Sequence, residues 1–144
     1  MRVLTWAEIE TMVEKIAQSV MAADAYRPED EPLEFVYGQP RGGLVPAIML
    51  SHRLGLPLGM SLDTDTCGLW VDDIYDTGQT VHQYSGRSEL ELACLVSKQA
   101  DPPINHLAEV VTPNQWVVFP WENDSSTYLN NNSLPTYPNQ PDRG

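Results

Sequence analysis

One segment, residues 69–80, constrains this chain more than any other feature of its sequence. An apolar stretch leads directly into Asp72 and Asp73, and Gly78 follows five residues later. A short apolar run bounded by turn residues favours a strand that is buried on both faces, as in a parallel sheet. Open α/β sheets bind ligands at the carboxyl ends of their strands, so we expect both aspartates to lie at a ligand site.

The residues after these aspartates, Asp76, Thr77, Gly78, Gln79 and Thr80, predict a turn into a helix. Gly78 permits a tight backbone turn, and the N–H groups of the loop and of the first helical turn can surround a phosphate. Two acids beside a phosphate cradle suit a ligand that also offers hydroxyls or shares a metal. The alternative is a turn whose aspartates merely cap the helix, but the combined spacing favours the phosphate site.

A second glycine-bearing loop covers residues 38–43 and ends in Arg41, Gly42 and Gly43. Arg41 supplies a cation, and the two glycines allow the backbone to approach an anion. A helix predicted over residues 44–54, with Gly55 at its end, would direct its positive N-terminus toward the same anion. This loop alone is also typical of an ordinary glycine turn, and the second motif is what favours an anion site.

The order of the predicted elements is typical of the α/β class, with a parallel sheet and helices on both faces. A first helix is capped by Thr5 and Glu8, and its apolar face is predicted to comprise Trp6, Ile9, Val13, Ile16 and Val20. The predicted strands are residues 34–37, 56–62, 68–72 and 90–97, with short candidates at 110–111 and 116–119, and a short helix is predicted at 78–84. Residues 1–122 are predicted to form one domain. Residues 123–144 are rich in Asn, Ser, Pro and Thr and are predicted to be disordered or to form a surface arm.

Residues 69–80 resemble the 5-phosphoribosyl 1-diphosphate (PRPP) signature of the type I phosphoribosyltransferases, and residues 37–58 resemble that family's first strand, pyrophosphate loop and helix. The resemblance implies a mostly parallel sheet flanked by helices, with a small C-terminal hood. It implies that Asp72 and Asp73 contact the ribose hydroxyls and Mg²⁺, and that residues 76–80 bind the 5-phosphate, with Asp76 as the general base. It also implies a pyrophosphate site at Arg41, Gly42 and Gly43, preceded by a cis peptide between Pro40 and Arg41.

The base site is suggested by Lys98, Trp116 and Val117, which resemble the purine site of bacterial xanthine-guanine phosphoribosyltransferases. By that resemblance, Lys98 bonds the purine 6-oxo group, Trp116 stacks on the base, and the backbone at Val117 reads the exocyclic position. An ammonium group selects a carbonyl over an amino group, and an indole face suits a flat ring. The alternative is a solvated lysine and a core tryptophan. Val118 stands where the bacterial xanthine-guanine enzyme has an acidic residue.

The function implied is transfer of the 5-phosphoribosyl group of PRPP to a 6-oxopurine (guanine, xanthine or hypoxanthine), as in purine salvage, by a homodimer or homotetramer. Catalytic relatives carry a long mobile loop between the second and third strands, whereas this chain has only residues 63–67 there. That departure favours the alternative of a non-catalytic PRPP or nucleotide sensor. Transfer to a different nitrogenous base is a further alternative.

The composition narrows the choice of partners and compartment. The formal net charge is -12, from 20 acidic and 8 basic side chains. Nucleic-acid binding requires a basic surface, so it is not expected. Neither a membrane span nor a signal peptide is predicted, because no apolar run approaches the ~20 residues a span requires. Cys67 and Cys94 lie in apolar stretches without a disulfide spacing, which predicts reduced thiols in a cytoplasmic protein.

Overall fold

The computed structural model describes residues 1–122 and contains six strands and three α-helices within that range. In chain order, these are β1 (Arg2–Val3), α1 (Trp6–Ala23), β2 (Leu33–Gly38), α2 (Leu44–Leu54), β3 (Cys67–Tyr75), α3 (Gln79–His82), β4 (Leu90–Ser97), β5 (His106–Val110) and β6 (Val117–Val118). A 3-10 turn, Asp24–Tyr26, follows α1. The predicted tail, residues 123–144, lies outside the described residues.

A four-stranded sheet in the order β2-β3-β4-β5 forms the centre of the fold, and all three of its pairings are parallel. In the central strand β3, Leu69, Trp70 and Val71 are 0% exposed. Alternate residues of a strand point to opposite faces, so these three side chains require apolar cover on both sides of the sheet. The predicted α/β class with a mostly parallel sheet is confirmed.

The two faces of the sheet are covered unequally. The long helices α1 and α2 contact each other and pack on the same face, where their apolar residues meet Leu69 and Val71. The other face is covered by the short α3, through Val81, and by partly buried side chains that include Tyr84. Helices were predicted on both faces, and both faces have at least one. The helix on the second face has only four residues, because the connection from β3 to β4 is short.

The first helix begins as predicted. Thr5 accepts a hydrogen bond from the Glu8 backbone, and the Glu8 carboxylate accepts one from the Thr5 backbone. The predicted apolar face needs one correction, because Trp6 is 50% exposed whereas the other four members of that face are buried. Trp6 lies in the first turn of the helix and contacts the ring of Trp121 at a centroid distance of 5.9 Å.

The strand predicted at residues 56–62 is wrong. The segment forms a single parallel bridge, Leu58 to Val36, at the free edge of β2. Val36 donates to the Pro57 carbonyl at 2.9 Å and Gly59 donates to the Val36 carbonyl at 2.7 Å. Proline has no N–H to donate and glycine weakens strands, which accounts for the pairing stopping after one residue.

Several boundaries also differ from the prediction. β3 continues through the two aspartates to Tyr75. β5 comprises His106–Val110, whereas a strand was predicted at residues 110–111. β6 comprises only Val117–Val118, whereas residues 116–119 were predicted. β6 pairs with β1, near the start of the chain, as a separate two-stranded sheet, and the predicted C-terminal hood stays a prediction. Cys67 and Cys94 are both free, with Cys94 buried and Cys67 half-buried. Among residues 1–122, no helix has the length and apolarity needed to cross a membrane.

A polar network lies at the amino edge of the sheet, away from the two aspartates. Glu91 accepts hydrogen bonds from Arg27 Nη2 and from His106 Nε2, each at 2.7 Å. The other ring nitrogen of His106 lies 2.7 Å from the Ser19 hydroxyl. Burial would raise the pKa of Glu91, but the hydrogen bonds from Arg27 and His106 outweigh it and lower the pKa to about 2. The network therefore ties α1 and the turn after it to β4 and β5.

We expect Glu91→Gln to lower the free energy of unfolding by about 1–3 kcal/mol at pH 7, because Arg27 loses its more buried charged partner and keeps only the exposed Asp24. The lowered pKa means that this stabilisation is present above the ordinary glutamate pKa and is lost as the pH falls toward 2. The difference between variant and parent should therefore shrink in acid. Urea unfolding at several pH values measures it.

Glu14→Gln is the matched control, since Glu14 pairs with Arg53 on the surface at 2.8 Å. A surface pair contributes little, so this control should lose less stability at pH 7. Equal losses in the two variants would contradict the role given to Glu91.

Candidate functional site

The two glycine loops meet at the carboxyl edge of the sheet. β2 and β3 are parallel neighbours, so the chain leaves both strands at the same edge. A Cβ atom placed on Gly42 would lie 2.0 Å from Asp73 Oδ2. The loop therefore packs its backbone against the Asp73 carboxylate at a distance that only glycine allows, which joins the two sequence motifs in one site.

The first loop is also fixed to β3 by backbone hydrogen bonds. Gln39 N–H donates to the Val71 carbonyl and Gly43 N–H donates to the Gln39 carbonyl, both at 2.8 Å. A Cβ on Gly43 would lie 2.2 Å from the Val71 carbonyl oxygen. The peptide between Pro40 and Arg41 is cis, as the family resemblance implies, and the Arg41 side chain is exposed.

Asp72 and Asp73 lie within the last four residues of β3, half-buried beside this loop. The Asp73 N–H donates to Asp72 Oδ1 and the Ile74 N–H donates to Asp73 Oδ1, both at 2.8 Å. Burial, with the neighbouring Asp73 charge, raises the pKa of Asp72 to about 8. Burial also raises the pKa of Asp73. The pair is therefore short of positive partners in the described structure, and a cation or hydroxyl donor would favour its charged form.

The second loop turns from β3 into α3. Gly78 has φ of 84°, a left-handed conformation that favours glycine, and a Cβ there would lie 2.6 Å from the Tyr75 hydroxyl. Thr77 Oγ1 accepts a long hydrogen bond, 3.4 Å, from the Gln79 N–H. A pocket of about 260 Å³ is lined by residues 72–81, which include both aspartates and all five predicted phosphate-binding residues.

Lys98 lies against this second loop. Its ammonium is 3.6 Å from Asp76 Oδ2, its backbone N–H donates to the Tyr75 carbonyl at 2.9 Å, and its side chain is only 14% exposed. Gln99, the next residue, donates from Nε2 to the Asp76 carbonyl at 2.9 Å. Lys98 is therefore not a solvated surface lysine, and the structure brings it to the residue predicted as the general base.

Val117 begins β6, in the small sheet that β6 forms with β1, and Trp116 directly precedes that strand. The Trp116 carbonyl accepts a hydrogen bond of 2.7 Å from Arg2 N–H, while the indole is 44% exposed. Trp116 is therefore not a core residue, and part of its ring is open to a ligand. Neither residue is among those that line the pocket at Asp72.

Two anchoring residues were not predicted. Gln39, within the first loop, anchors that loop to Val71, and Gln99, beyond the second loop, anchors that loop at the Asp76 carbonyl. Their positions beside Arg41 and Lys98 were the only sequence signal. A glutamine in a polar loop is too common for that position to indicate a role.

We expect Asp72→Asn to stabilise the free protein at pH 8. Between the ordinary aspartate pKa of 3.8 and about 8, folded Asp72 keeps a proton that the unfolded chain releases, so parent stability falls as pH rises through that range. An amide does not titrate. A one-unit difference in pKa corresponds to about 1.4 kcal/mol, so the variant should gain at least that at pH 8 and nothing near pH 4.

Urea unfolding across this pH range provides the measurement, with Asp63→Asn as the control at an exposed loop aspartate. A pH-independent difference between Asp72→Asn and the parent, or an equal gain in the control, would refute the assignment.

The fold and these loops can be compared with known proteins. No family model matches the sequence, and no curated protein matches it. A purine phosphoribosyltransferase from Pyrococcus horikoshii Ot3 has a similar structure, with a TM-score of 0.66 and 26% identity over 85% of this chain and 94% of that one. Xanthine-guanine-hypoxanthine phosphoribosyltransferase from Helicobacter pylori is also similar, with a TM-score of 0.60 and 17% identity over 90% and 98% of the two chains.

A third similar structure is a hypothetical protein from Neisseria gonorrhoeae with bound ppGpp, with a TM-score of 0.62 and 15% identity over 90% of this chain and 94% of that one. The two neighbours below 25% identity bear on the fold alone. From its parallel sheet, its two glycine loops in chain order and its purine phosphoribosyltransferase neighbours, the chain is identified as a protein of the type I phosphoribosyltransferase fold.

Proposed function

We propose that this protein transfers the 5-phosphoribosyl group of PRPP to a 6-oxopurine base and releases pyrophosphate. The observation that carries the proposal is the packing of Gly42 against Asp73. It joins an Arg-Gly-Gly loop, two aspartates and a phosphate-type loop at one sheet edge, where α/β proteins bind ligands. Similarity to a purine phosphoribosyltransferase at 26% identity supports the same class of reaction.

An acidic chain with net charge -12 needs specific devices to bind a polyanion. Backbone N–H groups and local cations are such devices. In the proposal, Arg41 and the backbone of Gly42 and Gly43 hold the diphosphate. The loop 76–80 holds the 5-phosphate, with the hydroxyls of Thr77 and Thr80 as further donors.

The residues at Asp72 and Asp73 fit a divalent cation. Both present carboxylate oxygens, the donors that Mg²⁺ prefers, and burial together with the neighbouring Asp73 raises the pKa of Asp72, so a bound cation would favour its charged form. Within residues 1–122, no group of three or more His, Cys, Asp or Glu side chains is arranged to hold a metal. We therefore propose Mg²⁺ held by the carboxylates together with ligand oxygens, a common arrangement for this ion. When bound, it would neutralise charge on the leaving diphosphate.

We assign acceptance of the purine proton to Asp76 and recognition of the purine to Lys98 and Trp116. Guanine presents N7 and O6 as neighbouring acceptors on one edge. Free guanine also exists as the tautomer that carries its proton on N7, beside the 6-oxo oxygen. Asp76 and Lys98 lie 3.6 Å apart, so this edge of the base can meet both. As N9 attacks the anomeric carbon and the bond to pyrophosphate breaks, Asp76 accepts the N7 proton and Lys98 donates to the 6-oxo group. Trp116 stacks on the ring, and the backbone at Val117 contacts the exocyclic position.

A sensor without turnover is the second candidate, and one observation favours it. The chain passes from the bridge at Leu58 to β3 at Cys67 in eight residues, 59–66, which is short for a loop that closes over a site and excludes water. The two free cysteines support a reducing, cytoplasmic setting for either function. Assembly as a homodimer or homotetramer stays a prediction.

A pyrophosphate-release assay with PRPP, Mg²⁺ and a panel of bases tests the transfer. We expect release with guanine, xanthine or hypoxanthine and little with adenine, because Lys98 donates to a carbonyl. Lys98→Met should weaken use of the 6-oxopurines about tenfold or more while PRPP affinity changes little.

PRPP affinity without release from any base would favour the sensor. Equal activity of Lys98→Met on every base would refute the 6-oxopurine assignment and leave the PRPP assignment standing.

Asp76→Asn tests the proton acceptor. We expect a loss of kcat of about 10²–10⁴-fold, the usual share of general base catalysis. PRPP affinity should change little, because an amide keeps the shape of the side chain in the loop. Steady-state kinetics and calorimetric titration of PRPP measure the two quantities. A parallel fall in affinity and rate would show that Asp76 only shapes the loop.

A further inference from the structure

Trp70 lies directly beneath the candidate site and is the one residue of the apolar run before Asp72 with a polar atom in its side chain. Its side chain is 0% exposed. The indole N–H donates to the side-chain oxygen of Gln39 at 3.2 Å. A buried indole N–H without an acceptor is costly, so this hydrogen bond fixes the Gln39 side chain relative to β3.

Gln39 is the residue on which the first glycine loop turns. Its backbone N–H bonds to the Val71 carbonyl and its carbonyl accepts the Gly43 N–H, so the indole supplies a third anchor to one residue. The loop that it anchors carries Arg41 and the glycine that packs on Asp73. A displacement at Gln39 would move Arg41 and the Gly42 backbone, to which the proposed function assigns the diphosphate.

The indole also supports the chain after α3. The Tyr84 ring packs on Trp70 at a centroid distance of 5.3 Å and an interplanar angle of 37°. Tyr84 lies two residues after the end of α3 and donates from its backbone to the Val81 carbonyl at 2.9 Å. Phenylalanine at position 70 would keep an aromatic contact with Tyr84 and lack only the donor to Gln39.

We propose that Trp70 is a positioning residue for the pyrophosphate side of the site, acting through its hydrogen bond to Gln39. The identity of the ligand, a diphosphate, rests on the proposed function. The positioning effect rests on the hydrogen bond between Trp70 of β3 and Gln39. The indole N–H is needed to hold residues 39–43 in the anion-binding arrangement. The ring alone is sufficient to support the chain after α3.

Three full-length variants test the proposal. Trp70→Phe removes the donor, Gln39→Met removes the acceptor with little change of shape, and Gln39→Glu keeps an acceptor. Hydrogen exchange of the Gly43 amide should quicken about fivefold in Trp70→Phe and Gln39→Met and should stay near the parent rate in Gln39→Glu. Gln39→Met leaves the core unchanged, so it decides the question even if Trp70→Phe folds poorly.

Calorimetric titration supplies the ligand readout, with inorganic pyrophosphate and Mg²⁺ as one probe and ribose 5-phosphate as the other. Trp70→Phe and Gln39→Met should each weaken pyrophosphate about fivefold and leave ribose 5-phosphate within about twofold. The double variant should be no weaker than either single variant, because all three lack the same hydrogen bond.

An unchanged Gly43 exchange rate, or equal weakening of both probes, overturns the positioning role. Unchanged pyrophosphate affinity in the variants overturns this inference alone. A parent that binds neither probe overturns the proposed function together with the ligand part of this inference.

Discussion

The parallel pairing of β3 with both of its neighbours determines where the two aspartates, the two glycine loops and Lys98 lie. β3 lies between β2 and β4, and parallel strands end at a common edge. The backbone carbonyls near the end of β3 accept hydrogen bonds from the neighbouring segments. Gln39 N–H donates to Val71, and Lys98 N–H donates to Tyr75. One buried strand thus provides both the aspartates and the attachment points for the loops around them.

The site combines a rigid support with unfavourable electrostatics. Leu69, Trp70 and Val71 beneath it are fully buried, whereas Asp72 and Asp73 are half-buried and have raised pKa values. At the amino edge of the sheet, by contrast, the carboxylate has partners, because Glu91 accepts hydrogen bonds from Arg27 and His106. The paired charges therefore lie at the amino edge of the sheet, and the carboxylates that are unpaired within residues 1–122 lie at the carboxyl edge.

Much of the fold could be predicted from local sequence. The bounds of β4 and α2 agree with the prediction, because an apolar run and a glycine C-cap each determine structure locally. The strand at residues 56–62 failed because pairing at a sheet edge depends on backbone donors, and Pro57 lacks one. The motif residues near Asp72 could be identified because their spacing is specific. The roles of Gln39 and Gln99 could not be predicted, because their hydrogen-bond partners are distant in the sequence. Val71 lies 32 positions from Gln39, and Asp76 lies 23 positions from Gln99.

The raised pKa of Asp72 has a consequence for binding measurements. A carboxyl group with a pKa of about 8 is largely protonated at neutral pH. A cation, or a ligand that donates hydroxyl hydrogens to the pair, favours the charged carboxylate and expels that proton into solution. The heat of association will then include the ionisation enthalpy of the buffer, so titrations in phosphate and in Tris will yield different apparent enthalpies. The slope of apparent enthalpy against buffer enthalpy counts the protons released and thereby reports the state of this aspartate pair before the ligand arrives.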